Sequence, residues 1–100
     1  MGQRIEIESS QVVDDSVILS TNRSLTGTTG EGYGTTAEAA ASGTFAGGLA
    51  ADLFESDDAL RRVYIESNVV VLQREGGWTD DVRSATESVV EDFFLFYPAV

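Results

Sequence analysis

The segment 62–74 constrains the fold of this chain more than any other stretch. It holds two runs rich in β-branched residues, separated by Ser67 and Asn68. Residues 62–66 alternate polar and apolar side chains, which is typical of a strand with one solvated face. Residues 69–72 form a nearly unbroken apolar run, as expected of a strand near the centre of a sheet. We therefore predict a central β-hairpin with four core-facing side chains: Val63, Ile65, Val69 and Val71.

Additional strands are predicted before this hairpin. Residues 4–8 alternate polar and apolar side chains, which predicts a first strand that residues 9–11 interrupt. The acidic pair 14–15 favours a turn, so the β-rich run 16–20 completes a first hairpin. Residues 31–36 are predicted to contain a short edge strand. Two side chains of the first strand are expected in the core: Ile5 and Ile7.

Helical signals appear in the middle of the chain. Residues 36–42 have helical propensity that Gly43 interrupts, and Thr44 then suits the N-cap of a longer helix. Gly47 and Gly48 weaken the first turns of that helix by about 1 kcal/mol each relative to alanine. The apolar side chains of the helix recur on one face: Phe45, Leu49, Leu53 and Phe54.

The clearest helical signal lies near the end of the chain. Thr79 is the predicted N-cap, and the acidic residues 80–81 lie where the helix dipole favours negative charge. Its core face is expected to consist of apolar side chains three and four residues apart: Val82, Ala85, Val89, Phe93 and Phe96. The segment 93–97 is apolar all round. It is interpreted as a buried helix end, or as a surface where Phe94 and Tyr97 dock a partner or a second subunit.

This order of elements, β-β-(β)-α-β-β-α, predicts an α+β domain. The expected architecture is a small, mostly antiparallel sheet with two helices packed on one face. A chain of 100 residues with 42% hydrophobic content is sufficient for one globular domain, which we assign to residues 1–100.

The amino-acid composition excludes several kinds of chemistry. The chain has no cysteine, histidine or lysine, so it lacks thiolate and imidazole groups, disulfides and a phosphate-binding lysine. We therefore expect no cofactor and no enzymatic activity. The Asp57-Asp58 pair lacks the spacing of a calcium loop and is interpreted as a turn. A carboxylate-based hydrolase remains an alternative function, with four candidate acids: Glu66, Glu75, Asp57 and Asp58.

The strong negative charge restricts the possible partners. Six arginines against 17 acidic residues give a net charge of −11. A surface of this charge is repelled by nucleic acid and by anionic membranes, so neither is an expected partner. Two explanations of the acidity are open: solubility in a salty cytosol, or steering of a basic protein partner. The acidic N-terminal sequence favours a cytoplasmic protein.

Three segments carry a resemblance to a known family. They are Ser16–Leu25 (SVILSTNRSL), Glu38–Glu55, which contains EAAAS and LAADLFE, and Val63–Val71 (VYIESNVVV). Together with Trp78 and the apolar end of the last helix, these segments resemble the N-terminal domain of the Nfu (NifU-like) iron–sulfur cluster scaffold proteins. The resemblance covers residues 5–97. The chain departs from the family where Val13-Asp14-Asp15 replaces an Asn-Pro-Asn turn.

The resemblance implies an accessory or protein-interaction domain that works with the iron–sulfur assembly machinery. In the family, the Cys-x-x-Cys ligands lie in a separate domain, and this chain has no cysteine to hold a cluster. The expected interaction surface is the polar end of the sheet, near Asn22, Arg23, Ser67 and Asn68. A homo-oligomerising structural domain is the alternative function, and we expect a monomer or a weak dimer.

Overall fold

The computed structural model describes residues 6–26 and 30–96, with side chains as far as residue 93. Five strands and three helices follow one another in this part of the chain. Their bounds are β1 Ile7–Val13, β2 Ser16–Thr21, β3 Glu31–Tyr33, α1 Thr36–Ala41, α2 Phe45–Ser56, β4 Leu60–Glu66, β5 Val69–Arg74 and α3 Asp80–Phe96.

The strands form one antiparallel sheet in the order β1-β2-β5-β4-β3. The predicted hairpin of β4 and β5 lies in its middle, so its central position is confirmed. The predicted edge strand is also confirmed, because β3 pairs with β4 at one edge. The first hairpin joins the second through the pairing of β2 with β5.

The helices cover one face of the sheet, which confirms the predicted α+β architecture. Helix α1 is short and separate from α2, so three helices are present where two were expected. Side chains that are almost fully excluded from solvent form the core between the sheet and the helices. The largest of them are Val17, Leu19, Leu49, Leu53, Val63, Ile65, Val70, Leu72 and Val90.

The predicted orientation of β5 is wrong by one residue. Val70 and Leu72 are fully buried under the helices, whereas Val69 and Val71 are half-buried on the opposite face. The reason lies in the two-residue turn, which places Val70 opposite Ile65. Directly opposed residues of an antiparallel pair share a face. Val69 and Val71 therefore lie on what we call the open face of the sheet, whose centre is formed by Ile18, Tyr64, Val69 and Val71.

Strand β1 is longer than its sequence suggests. Residues 9–11 do not interrupt it, because they pair with residues 18–20 of β2. The irregularity lies instead between Ile7 and Ser9, where the register shifts. The predicted turn at Asp14 and Asp15 is confirmed, with Asp14 in a left-handed conformation at φ 55°. Residue 5, also predicted in the core, lies outside the described residues.

Both predicted N-caps near the middle and end of the chain are confirmed. The Thr44 hydroxyl oxygen accepts a hydrogen bond from the backbone N–H of Gly47 at 3.0 Å, and the Thr79 hydroxyl accepts one from Val82 at 3.3 Å. Gly43 has φ 71°, which ends the first helical segment before α2 begins.

The turn between β1 and β2 is tied to the segment that leads into α3. The carbonyl oxygen of Asp15 accepts a hydrogen bond from the backbone N–H of Arg74 at 2.9 Å. It accepts a second one from the indole Nε1–H of Trp78 at 2.8 Å. The two donors hold the end of β5 and the entrance of α3 against the first hairpin.

Helix α3 is rotated about its axis relative to the prediction. Thr86, Val90 and Phe93 are its buried side chains, while Val82 and Val89 are half-buried and Ala85 is exposed. The stripes through Val89 and through Val90 are both spaced by three and four residues, so periodicity alone does not distinguish them. Phe93 belongs to both stripes, and its ring packs edge-on against Phe45 at a centroid distance of 4.8 Å. The contact of α3 with the sheet then buries Val90 completely and leaves Val89 half-buried.

Candidate functional site

The structure brings Asn22 and Arg23 to the end of the sheet where the central hairpin turns. Asn22 exchanges two hydrogen bonds with Glu6: its N–H donates to the Glu6 carbonyl at 2.9 Å, and its Oδ1 accepts the Glu6 N–H at 3.0 Å. The Arg23 carbonyl accepts the Thr21 hydroxyl at 2.8 Å. These contacts fix the loop after β2.

Ser67 and Asn68 lie beside this loop, so the four predicted surface residues are neighbours. The Asn68 side-chain amide donates to the Thr21 carbonyl at 3.0 Å. The Ser67 carbonyl accepts the N–H of Leu25, and the Ser67 N–H donates to the Thr26 hydroxyl at 2.7 Å. These polar groups hold the hairpin tip against the loop, which is a structural role. Their contact with a partner stays a prediction.

The two aromatic residues predicted at the C-terminal surface fall at the limit of what the structure describes. The backbone of Phe94 belongs to α3, but its side chain is outside the described part. Tyr97 lies outside the described residues.

The four candidate acids of a hydrolase are not gathered at one place. Glu66 accepts a hydrogen bond from the Tyr64 hydroxyl on the open face at 2.8 Å. Asp57, Asp58 and Glu75 lie toward the opposite end of β4, about 20 Å away along a strand that rises about 3.3 Å per residue. This distance exceeds the separation of a glycosidase pair. Asp57 is bound to Arg74 at 2.6 Å.

Neither a metal site nor a membrane span is found in the part of the chain that the structure describes. Residues 6–26 and 30–96 contain no group of three or more acidic side chains that could hold a metal ion. No helix in those ranges has the length and apolar character needed to cross a bilayer.

An uncovered groove runs between the second half of α2 and the outer side of α3. We call it the α2–α3 groove, and its main lining residues are Asp52, Ser56, Val82, Ala85, Val89 and Asp92. It consists of two depressions of about 290 and 280 Å³ that share Val89. The apolar side chains are those that the sequence had placed in the core. The rotation of α3 leaves them at the surface instead.

One end of the groove combines an apolar floor with acidic side chains. Phe93 and Val89 form the floor, while Asp52 of α2 and Asp92 of α3 line the sides. Partial burial, and to a lesser extent the charge of Glu55, raise the pKa of Asp52 above its usual value. The described part of the chain supplies no cation to Asp52. This end of the groove is therefore suited to a ligand with a positive charge beside an apolar group.

The other end of the groove is closed by an ion pair with a structural role. Arg74 Nε donates to Asp57 Oδ2 at 2.6 Å, and Arg74 also donates to the Gly77 carbonyl at 2.9 Å. Asp57 Oδ1 accepts the N–H of Ala59 at 2.9 Å. Because both charged groups are already bound within the chain, Asp52 is the groove carboxylate on which the binding of a cation depends.

The sequence contained one signal for this groove that the predictions did not use. Asp52 stands between Ala51 and Leu53, both of which are buried in α2. An acidic residue flanked by core side chains on a helix indicates a helix edge that is partly desolvated. The position of Val89 in the groove had no such signal, because valine on an amphipathic helix is most often a core residue.

Comparison with known proteins identifies the fold of this chain and goes no further. No family model and no curated protein matches the sequence. The crystal structure of protein SAV1430 from Staphylococcus aureus is similar, with a TM-score of 0.62 and 11% sequence identity. The match covers 84% of this chain and 96% of the other. At this identity, the likeness shows a shared fold alone.

Proposed function

We propose that this chain is a non-catalytic protein-binding domain whose α2–α3 groove receives a basic amphipathic helix of a partner protein. The observation that supports the proposal is the groove itself, where an uncovered apolar strip on α3 lies beside the carboxylate of Asp52. The absence of cysteine, histidine and lysine from the sequence agrees with a role in binding and not in catalysis.

The chemistry of the groove defines the ligand. Val82, Ala85 and Val89 follow the axis of α3 and provide an extended apolar surface, which favours a ligand with apolar side chains at helical spacing. Each apolar anchor that such a helix buries contributes about 1.5–3 kcal/mol before the cost of association. A lysine or arginine at the Asp52 end completes the contact, and the net charge of −11 steers a basic ligand toward the protein.

A synthetic peptide tests the groove directly. The probe is an amphipathic helix with leucine on one face and lysine on the other, compared with a scrambled peptide of the same composition. Binding is followed by amide chemical shifts and by isothermal titration calorimetry. We expect Val89→Ser to weaken binding about tenfold and Asp52→Asn about threefold. The matched controls, Val71→Ser on the open face and Asp58→Asn outside the groove, leave the affinity unchanged.

Two results would contradict this proposal. One is equal affinity for the helical and scrambled peptides, since that indicates charge attraction without a shaped site. The other is a set of shift changes confined to residues 22–26 and 67–68, since that would assign binding to the polar end of the sheet.

We further propose that the partner belongs to the iron–sulfur assembly machinery and that the domain acts in the cytoplasm. The support for the partner is the resemblance of segments 16–25, 38–55 and 63–71 to the Nfu N-terminal domain. Crosslinking in a native lysate, followed by mass spectrometry, compares the wild type with Val89→Ser. We expect assembly proteins to be enriched with the wild type alone.

The non-catalytic, cluster-free role has its own test. Anaerobic reconstitution with iron and sulfide is expected to leave the purified chain colourless, because it has no cysteine ligand. A stoichiometric visible chromophore would refute this part of the proposal and leave the binding role of the groove untouched.

A further inference from the structure

The open face of the sheet carries an uncovered row of side chains that crosses all five strands. Strand pairing places these residues side by side. The row consists of Gln11, Ile18, Val71, Tyr64 and Gly32. The Tyr64 ring extends the apolar part of the row over β3, because Gly30 and Gly32 have no side chain there. A Cβ at Gly32 would lie 3.2 Å from Tyr64 Cδ1 and 3.3 Å from Arg62 Nη2, so the Arg62 guanidinium also lies over β3.

Charged side chains are almost absent from this face, although the chain has a net charge of −11. At the paired positions of the open face, the charged residues are Arg62 and Glu66, which lie on either side of Tyr64 in β4. They are four residues apart, about 13 Å along a strand, and no ion pair joins them in the described part of the chain. A third charged group reaches the edge of this face, because the Asp15 carboxylate accepts a hydrogen bond from the Gln73 side chain at 3.2 Å. An acidic protein thus presents one face whose centre is uncharged.

Arg62 is exposed and has no carboxylate partner in the described part of the chain. In contrast, Arg61, Arg74 and Arg83 each form an ion pair with an acidic side chain there. Glu66 accepts a hydrogen bond from the Tyr64 hydroxyl and receives no cation. One cationic and one anionic residue without an ion-pair partner among the described residues therefore stand two positions before and two positions after Tyr64 in β4.

We propose that a second copy of this chain packs on the open face, with a two-fold axis along the row from Ile18 to Tyr64. Such an axis reverses the strand direction between the copies and places the row of one copy over the row of the other. Arg62 then faces the partner's Glu66, and Glu66 faces the partner's Arg62. Each of these charges receives one counterion, and the Arg62–Glu66 pair therefore occurs twice in the dimer, as an isologous interface requires.

The uncharged neighbours are compatible with the same axis. Ser16 and Ser20 lie on opposite sides of Ile18 in β2, so each small side chain meets the other across the interface. In β5, Val69 of one copy likewise lies over Gln73 of the other. Two antiparallel sheets that pack face to face lie about 10 Å apart with interdigitated side chains. The dimer is a sandwich of two sheets with the helices outside.

The size of the face indicates a weak association. Five strands of about six residues span about 24 Å by 20 Å, which corresponds to roughly 1,000 Å² for the two copies together. Interfaces of this size are at the lower limit of specific complexes. The helices face outward in this arrangement, so both α2–α3 grooves stay accessible. The interface is distinct from the C-terminal surface of Phe94 and Tyr97.

Exchanging the charges of Arg62 and Glu66 tests the proposed two-fold axis. Sedimentation velocity over a concentration series measures the dimer affinity of the wild type, Arg62→Glu, Glu66→Arg and the double variant. We expect each single substitution to weaken the dimer at least about tenfold, because it brings like charges together twice. The double variant keeps the net charge of the wild type and is expected to regain its affinity within about threefold.

Matched controls separate this interface from general charge effects. Asp58→Arg changes the net charge as Glu66→Arg does but lies outside the open face, and it is expected to keep the dimer intact. Far-UV circular dichroism verifies that every variant is folded. A wild-type chain that stays monomeric at millimolar concentration would overturn the proposal. So would a folded double variant that stays monomeric, or a dimer that both single substitutions leave unchanged.

Discussion

Replacing either of two adjacent glycines in α2 by alanine is predicted to change the free energy of unfolding, in opposite directions at the two positions. Gly47 is buried where α1 meets the first turn of α2. A Cβ at Gly47 would lie 2.7 Å from Ser42 Cβ and 2.8 Å from the Ala39 carbonyl oxygen, and it would overlap the Ser42 hydroxyl. A Cβ at Gly48 would lie 3.4 Å from Phe93 Cζ, which is ordinary van der Waals contact.

The expected magnitudes follow from these distances. Glycine to alanine inside a helix gains about 1 kcal/mol of folding free energy from backbone propensity. At Gly48 this gain is retained, so Gly48→Ala is expected to raise the free energy of unfolding by about 0.5–1 kcal/mol. At Gly47 the backbone oxygen cannot move away without shifting α1, and overpacking costs about 1–3 kcal/mol. Gly47→Ala should therefore lower the free energy of unfolding by about 1 kcal/mol.

Urea unfolding at 25 °C, followed by circular dichroism at 222 nm, measures both variants against the wild type. Ser42→Gly combined with Gly47→Ala provides a further check, since it removes the side chain involved in the overlap. We expect the double variant to recover part of the loss, with the carbonyl contact accounting for the rest. An equal stabilisation by Gly47→Ala and Gly48→Ala would refute the described packing of α1 on α2.

Three other predictions concern charged and titrating groups. Arg74→Gln breaks the pair with Asp57, whose side chains are 20% and 16% exposed, and should lower the free energy of unfolding in urea by about 2 kcal/mol. Arg61→Gln breaks the pair with Glu75, whose side chains are 53% and 68% exposed, and should lower it by less than about 1 kcal/mol. Equal losses would contradict this difference. Partial burial raises the pKa of Asp52, so the folded wild type becomes less stable relative to Asp52→Asn as pH rises from 3.8 through the raised pKa. Urea unfolding across that pH range should show that the variant has no stability advantage below pH 3.8. The hydrogen bond to Glu66 is the main cause of the raised pKa of Tyr64, so Glu66→Gln should lower that pKa toward 10.0 in a titration followed by tyrosinate absorbance; an unchanged midpoint would show that the bond is not the cause.

Local signals were sufficient for much of the fold. The N-caps at Thr44 and Thr79 depend on a hydroxyl and an N–H three residues away, so a short window of sequence contains the whole interaction. The central hairpin was equally accessible, because β-branched content and a two-residue turn are both local. The turn also determines which side chains of β5 face the helices, and applying the pairing rule to Ser67 and Asn68 would have predicted Val70 correctly.

Non-local packing explains what the sequence did not reveal. Helix α3 has two apolar stripes, and the choice between Val89 and Val90 depends on where the sheet and Phe45 lie. Inclusion of residues 9–11 in a continuous strand depends on pairing with β2, a non-local contact that a short sequence window does not contain. Both proposed surfaces contain valines that were predicted in the core. A hydrophobic pattern reports that a side chain favours burial, but it does not report whether this chain or another provides the cover.

The hydrogen bond from Trp78 to Asp15 has a spectroscopic consequence. Trp78 is the single tryptophan of the chain, so all indole emission comes from one site that bridges 63 positions of sequence. Detachment of the first hairpin from β5 would expose this ring to water and shift its emission to longer wavelength. The helical circular dichroism signal would be retained. Fluorescence and circular dichroism recorded together would thus separate an opening of the N-terminal hairpin from global unfolding.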